Sequence, residues 1–66
     1  MDIKSEYTKE TIINALLFEV QELRRVADKI GTIDDTIAYK AEIKIKVLNY
    51  LIDDIAKGRV TIISKI

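Results

Sequence analysis

Acidic side chains are the main residues in this sequence that could carry chemistry, and Glu19 stands out among them. Glu19 falls between Leu16 and Leu23, on the edge of an apolar helical stripe. A carboxylate there could have a raised pKa or contact a ligand, but acid or base catalysis usually needs a second converging group. No histidine or cysteine is present to supply it. We therefore expect Glu19 to form an ion pair with Lys44 across a helical hairpin.

Two adjacent acidic pairs, Asp34-Asp35 and Asp53-Asp54, are the candidates for binding a metal ion. Neighbouring residues of a helix point about 100° apart, so neither pair converges on one ion. Capping of a helix start accounts for the first pair, and solvation accounts for the second. The sequence also has no glycine-rich phosphate loop and no zinc-ligand spacing. It therefore predicts no metal, no cofactor and no enzymatic activity.

The overall charge argues against two classes of partner. Eleven basic residues balance eleven acidic ones, whereas proteins devoted to nucleic acid or anionic membranes usually carry a basic excess. The longest apolar run, residues 15–18, is far shorter than a membrane span, and the first residues do not resemble a signal peptide. We expect a cytoplasmic protein without membrane contact. Its thirteen isoleucines and eight lysines are typical of an AT-rich genome, such as that of a virus or a low-GC bacterium.

Apolar residues at steps of three and four predict two helices, over about 8–30 and about 33–57. Ser5 or Thr8 could cap the first helix at its start, and Gly31 suits its left-handed end. Thr32 suits the cap of the second helix, and this short connection makes the two helices antiparallel. The residues of the two stripes are Ile12, Leu16, Val20, Leu23, Ala27 and Ile30, and Ala38, Ala41, Ile45, Leu48, Ile52 and Ile55.

The C-terminal segment 59–65 is rich in β-branched residues and favours an extended strand. A single strand cannot satisfy its own backbone, so the segment must pair with a second copy, pair with residues 2–4, or fray. If two copies pair across a twofold axis, Val60 and Ile62 point into the end of a helical bundle.

A second group of apolar residues lies off the main stripes. It comprises Phe18 on the first helix and Tyr39, Ile43, Val47 and Tyr50 on the second. Matching the heights of the two helices places Phe18 level with Val47, which predicts one contact surface for another protomer or another protein. The alternative is that a small apolar protein simply exposes some of its hydrophobic residues.

A core of this size rarely contributes more than about 3–5 kcal/mol, and neither a disulfide nor a zinc site can add to it here. The 66 residues therefore predict a single all-α domain, a two-helix hairpin that forms a homo-oligomer, most simply a dimeric four-helix bundle. The expected function is a small interaction or regulatory protein that binds itself and another protein.

Two other functions remain open at this point. Basic residues gather toward the tip of the hairpin, although acidic residues gather there too. Such a patch, doubled in a dimer, could bind nucleic acid, or clefts between protomers could sequester a small anionic ligand. The candidate anion-binding residues are Arg24, Arg25, Lys29, Lys40 and Lys44.

Overall fold

The computed structural model describes residues 1–30 and 35–65, which form two helices and two short strands. Two helices of 22 residues each pack along one another as a hairpin, which confirms the predicted pair of helices. The capping predicted for Gly31, Thr32 and Asp34 lies outside the described residues. In chain order the elements are β1 (Asp2–Ser5), α1 (Lys9–Ile30), α2 (Asp35–Ala56) and β2 (Thr61–Ser64).

Thr8 caps the start of α1. Its hydroxyl oxygen accepts a hydrogen bond from the Thr11 amide at 3.2 Å, and its carbonyl accepts one from the Ile12 amide at 3.1 Å. Ser5, the other candidate, instead accepts from the Tyr7 amide at 3.0 Å, which turns the chain between β1 and the helix. The two side chains therefore have separate tasks, one in a turn and one in a helix cap.

The core of the hairpin follows the predicted stripes closely. Every stripe residue of both helices is buried or half-buried, and Val20, Ala41 and Ile55 are almost completely covered. Because a two-layer hairpin can cover only one side of each helix, most of the remaining apolar residues of α1 and α2 stay exposed, and Ile13 and Val26 are half-buried. Within the described ranges, neither helix has the length and apolar character that crossing a membrane requires.

The C-terminal strand confirms one of the three alternatives for the tail, pairing with the N-terminal residues, and corrects the all-α class. β2 pairs with β1 of the same chain, in parallel, with Asp2 opposite Thr61 and Ser5 opposite Ser64. The fold is therefore mostly helical rather than all-α, and a second copy is not needed to satisfy the backbone groups on this side of β2. The hairpin explains the outcome, because it returns the chain to its starting end, where the Lys9 ammonium lies 3.5 Å from the Ala56 carbonyl. An adjacent segment of the same chain closes a pair more readily than a second molecule does.

The alternation of backbone groups along β2 predicts which amides resist hydrogen exchange. The Thr61 amide donates to the Met1 carbonyl at 2.8 Å, and the Lys65 amide donates to the Ser5 carbonyl at 2.9 Å. In a parallel ladder alternate residues face the neighbouring strand, so the Ile62 amide faces away from β1. We expect exchange measured by NMR to be slower at Thr61 and Lys65 than at Ile62. Equal protection at all three would show that β2 has a second strand partner.

Candidate functional site

Glu19 and Lys44 do not form the predicted ion pair. No Glu19 contact within 4.0 Å of a basic group is present in the described part of the chain, and its side chain is exposed. Both residues instead border an open groove between α1 and α2, whose floor includes Leu23 and Leu48. An exposed ion pair contributes little after the loss of side-chain entropy, which explains why the two groups stay hydrated.

The acidic pair Asp53-Asp54 is occupied by cationic side chains of the same chain. Arg59 donates to Asp53 at 2.6 Å and to Asp54 at 2.7 Å, and the Lys57 ammonium lies 3.3 Å from Asp53. Gly58, between Lys57 and Arg59, adopts a positive φ of 81°, which lets the chain turn back from the end of α2. The pair that was expected to be solvated therefore holds the turn that leads into β2.

This cluster changes the protonation equilibria of two of its members. The hydrogen bond and charge of Lys57, followed by those of Arg59, hold the pKa of Asp53 below its ordinary value despite partial desolvation. The hydrogen bond from Arg59 to Asp54, with a further one to Asp53, raises the pKa of the guanidinium. Both shifts favour the charged forms, so the cluster is a structural ion network at neutral pH.

The predicted anion-binding residues do not converge on one site. Arg25 pairs with Glu22 at 2.7 Å, and Arg24 borders a groove on one side of the hairpin. Lys44 borders the other groove, on the opposite side, and Lys29 and Lys40 are both exposed. The basic groups are therefore spread around the hairpin. Within residues 1–30 and 35–65, no three acidic side chains come together as metal ligands either.

The most extensive feature of the surface is an apolar face of α2 that points away from α1. Four of its residues lie about 130–170° around the helix from the centre of the buried stripe, and Leu51 lies on the flank, about 90° from it. Their exposed fractions range from 37% to 74%. We call this set the α2 outer face: Tyr39, Ile43, Val47, Tyr50 and Leu51.

Phe18 does not belong to the α2 outer face, which corrects the prediction of a single surface. It precedes Val20 by two residues, and two residues turn a helix by about 200°. Since Val20 is buried between the helices, Phe18 points away from α2, with 64% of its surface exposed. Height matching placed the two sets at one level but ignored direction. The apolar residues outside the core therefore lie on two opposite sides of the hairpin.

Val60 and Ile62 are half-buried within the single chain. The Val60 amide donates to the Asp54 carbonyl at 3.1 Å, and Ile62 stands opposite Ile3 in the strand pair. Residues of the same chain therefore bury part of Val60 and Ile62 without a second copy. Their predicted place in an oligomer interface stays a prediction.

The protomer exposes more surface than its mass predicts. A compact monomer of 7.6 kDa is expected to expose about 4,300 Å², whereas this chain exposes 5133 Å². Its radius of gyration is 14.1 Å, against about 11 Å for a compact domain of this length. The long, thin hairpin measures 44 × 19 × 14 Å, which accounts for both differences.

Comparison with known proteins assigns no function to these surfaces, because the chain matches no family model, no curated protein and no solved structure. A helical hairpin hosts many functions, so the function is inferred from the exposed residues themselves.

Two residues were missed by the sequence reasoning. Leu51 widens the α2 outer face toward the groove that Lys44 borders, and a helical projection with a broader sector would have included it. Arg59 is the other, because the sequence reasoning used it only as part of the tail. A basic residue shortly after an acidic pair at a helix end indicates an ion pair that holds the following turn.

Proposed function

We propose that this chain is a small, non-enzymatic interaction or regulatory protein of the cytoplasm, which acts as a homo-oligomer and binds another protein. The observation that carries the proposal is the α2 outer face, five large apolar side chains exposed along one helix. Apolar patches of this kind mark interaction sites more often than scattered single residues do.

Burial of the α2 outer face supplies the driving force for association. Covering one large aliphatic or aromatic side chain stabilises a complex by about 1.5–3 kcal/mol before the costs of association are subtracted. The tyrosines add hydroxyl groups that can reach the rim of an interface, and such residues are enriched at interface centres. The charged cluster around Arg59 holds the turn into β2, so the exposed apolar residues are the feature that supports binding.

The opposite side of the hairpin supports the second part of the proposal. Phe18 is largely exposed on the outer side of α1, and Leu17 is exposed beside it. This smaller apolar site stays accessible when the α2 outer face is covered, because the two lie on opposite sides of the hairpin. One surface can therefore hold the oligomer together while the other binds a different protein.

Replacing Val47 with aspartate tests the role of the α2 outer face. We expect sedimentation of Val47→Asp to show a monomer at concentrations where the unchanged chain is oligomeric, because the interface would desolvate the new charge. The matched control is Asn49→Asp, at an exposed position of the same helix outside this face. It should keep the oligomer. Circular dichroism compares the helix content of both variants.

Phe18→Asp separates oligomer formation from partner binding. We expect this variant to keep the oligomer and to lose the protein that the unchanged chain binds in its host, measured by crosslinking in the host and mass spectrometry. Asn49→Asp, at an exposed position of α2 away from Phe18, is its control. If the Val47 and Phe18 variants both keep the native oligomer and the native partner, neither apolar surface has the proposed role.

A further inference from the structure

We infer that β1 and β2 form a latch, which opens as a unit while the two helices stay folded, and that the Arg59 side chain holds this latch closed. The latch lies at the end of the hairpin opposite the connection between the helices. The inference goes beyond the proposed function, because it concerns the strand pair and neither of the two exposed apolar surfaces.

The strand pair buries little apolar surface of its own. No residue of β1 or β2, all of which the structure describes, is fully buried, and only Ile3, Ser5 and Ile62 are half-buried. The hairpin, in contrast, contains Val20 and Ile55, which are almost completely covered. Two short strands are marginally stable by themselves, and segments with few buried apolar contacts open at the lowest cost in free energy. The strands are therefore the part of the fold that opens first.

Short turns join the two strands to the helices. Between β1 and α1, the Ser5 hydroxyl oxygen accepts a hydrogen bond from the Tyr7 amide at 3.0 Å. Between α2 and β2, Gly58 has a φ of 81° and the Val60 amide donates to the Asp54 carbonyl at 3.1 Å. Glycine adopts positive and negative φ about equally readily, so the backbone of the second turn has little preference for the closed geometry. Side-chain contacts have to supply that preference.

The guanidinium of Arg59 makes the side-chain contacts of this turn. Its Nε donates to Asp54 at 2.7 Å and its Nη2 donates to Asp53 at 2.6 Å, so one group holds both carboxylates at the end of α2. Because the donors of a guanidinium form a rigid fork, the two bonds form together only when residue 59 lies beside the end of α2. The chain enters β2 two residues later. Release of Arg59 therefore frees the turn and the strand together.

Ionic strength is the condition to which this latch responds. The side chains of Arg59 and of both aspartates are partly exposed, so dissolved ions reach them and screen their attraction. The apolar contacts that hold the two helices together are not screened in this way. High salt therefore opens the latch more often than it opens the hairpin, and opening uncovers Ile3 and Ile62.

Hydrogen exchange of the variant Arg59→Gln tests the latch. The Thr61 and Lys65 amides report its opening, because their hydrogen bonds join the C-terminal strand to the N-terminal segment. We expect both exchange rates to rise about fivefold, the size of effect that loss of two exposed ion pairs produces. Exchange at the Val20 amide should stay unchanged. Sodium chloride at about 1 M should raise the two strand rates in the unchanged chain and have little further effect on the variant.

Arg25→Gln is the matched control. Arg25 is another exposed arginine, and it pairs with Glu22 at 2.7 Å on α1, so its replacement removes the same charge without affecting the turn. Exchange at Thr61 and Lys65 should then equal that of the unchanged chain. The variant Arg59→Lys keeps the charge but loses the fork of donors, so its exchange rates should lie between those of the unchanged chain and of Arg59→Gln.

Two results would overturn the inference. Equal exchange at Thr61 and Lys65 in the unchanged chain and in Arg59→Gln would show that Arg59 does not hold the strands. An equal rise at Val20 would show that strands and helices unfold as one unit, without a separate latch. Neither result bears on association, which the Val47→Asp variant tests independently.

Discussion

Replacing Ile55 with alanine is expected to abolish the cooperative unfolding transition of the chain. Ile55 is 2% exposed and is the largest side chain that the described residues bury completely. Removing a large buried aliphatic side chain costs about 2–5 kcal/mol, which equals the whole stability that a core of this size supplies. Thermal unfolding followed by circular dichroism at 222 nm should show a broad decline in place of a sigmoidal transition.

Ile63→Ala is the matched control for that experiment. Ile63 belongs to β2 and is 42% exposed, so the same chemical change removes far less buried surface. We expect this variant to keep a cooperative transition with a modest loss of stability. If Ile55→Ala melts like Ile63→Ala, contacts outside the hairpin core dominate the stability.

The hairpin could be predicted from the sequence because helical periodicity is a local signal. Residues such as Val20 and Ile55 belong to stripes with steps of three and four, and those stripes are the ones that the fold covers. The boundaries were close as well: α1 begins at Lys9 and α2 ends at Ala56, each one residue inside the prediction.

The strand pair could not be predicted from local sequence patterns, because its two strands lie at opposite ends of the chain. Residues 2–5 contain a single β-branched side chain, Ile3, and their strand conformation depends on β2, which lies more than fifty residues away in sequence. Such a pairing follows from the helical hairpin, which brings both ends of the chain together. Residues 2–4 were one of two partners considered for the tail, but the sequence offered no measure of proximity that favoured them over a second copy or over fraying.

The sequence predicted which apolar residues are exposed but not which sides of the hairpin they occupy. Exposure of Tyr39, Val47 and Tyr50 followed from their distance from the buried stripe, as the structure confirms. The position of Phe18 did not, because matching residues by height says nothing about the direction in which a side chain points. Ion pairs were least predictable: the pair of Glu22 and Arg25 forms, whereas that of Glu19 and Lys44 does not. Such exposed pairs differ in free energy by fractions of a kcal/mol.

The second prediction of large effect is a melting temperature that rises with protein concentration. If the α2 outer face is covered only in the oligomer, dissociation and unfolding are coupled, and mass action stabilises the native state as concentration increases. Each tenfold increase contributes about 1.4 kcal/mol per dimer. For a folding unit of about 130 residues that corresponds to a shift of roughly 5 °C. Calorimetry over two decades of concentration should therefore show a rise of roughly 10 °C.

The Val47→Asp variant gives this experiment its control. A chain that no longer associates should melt at one temperature regardless of concentration, and lower than the unchanged chain at every concentration tested. Asn49→Asp should keep the slope of the unchanged chain, because its charge stays in water. A constant melting temperature for the unchanged chain would mean that the thin core of Val20, Ala41 and Ile55 is sufficient by itself. The exposed face of α2 would then contribute nothing to stability, and its apolar residues would have to be explained by a partner other than a second copy.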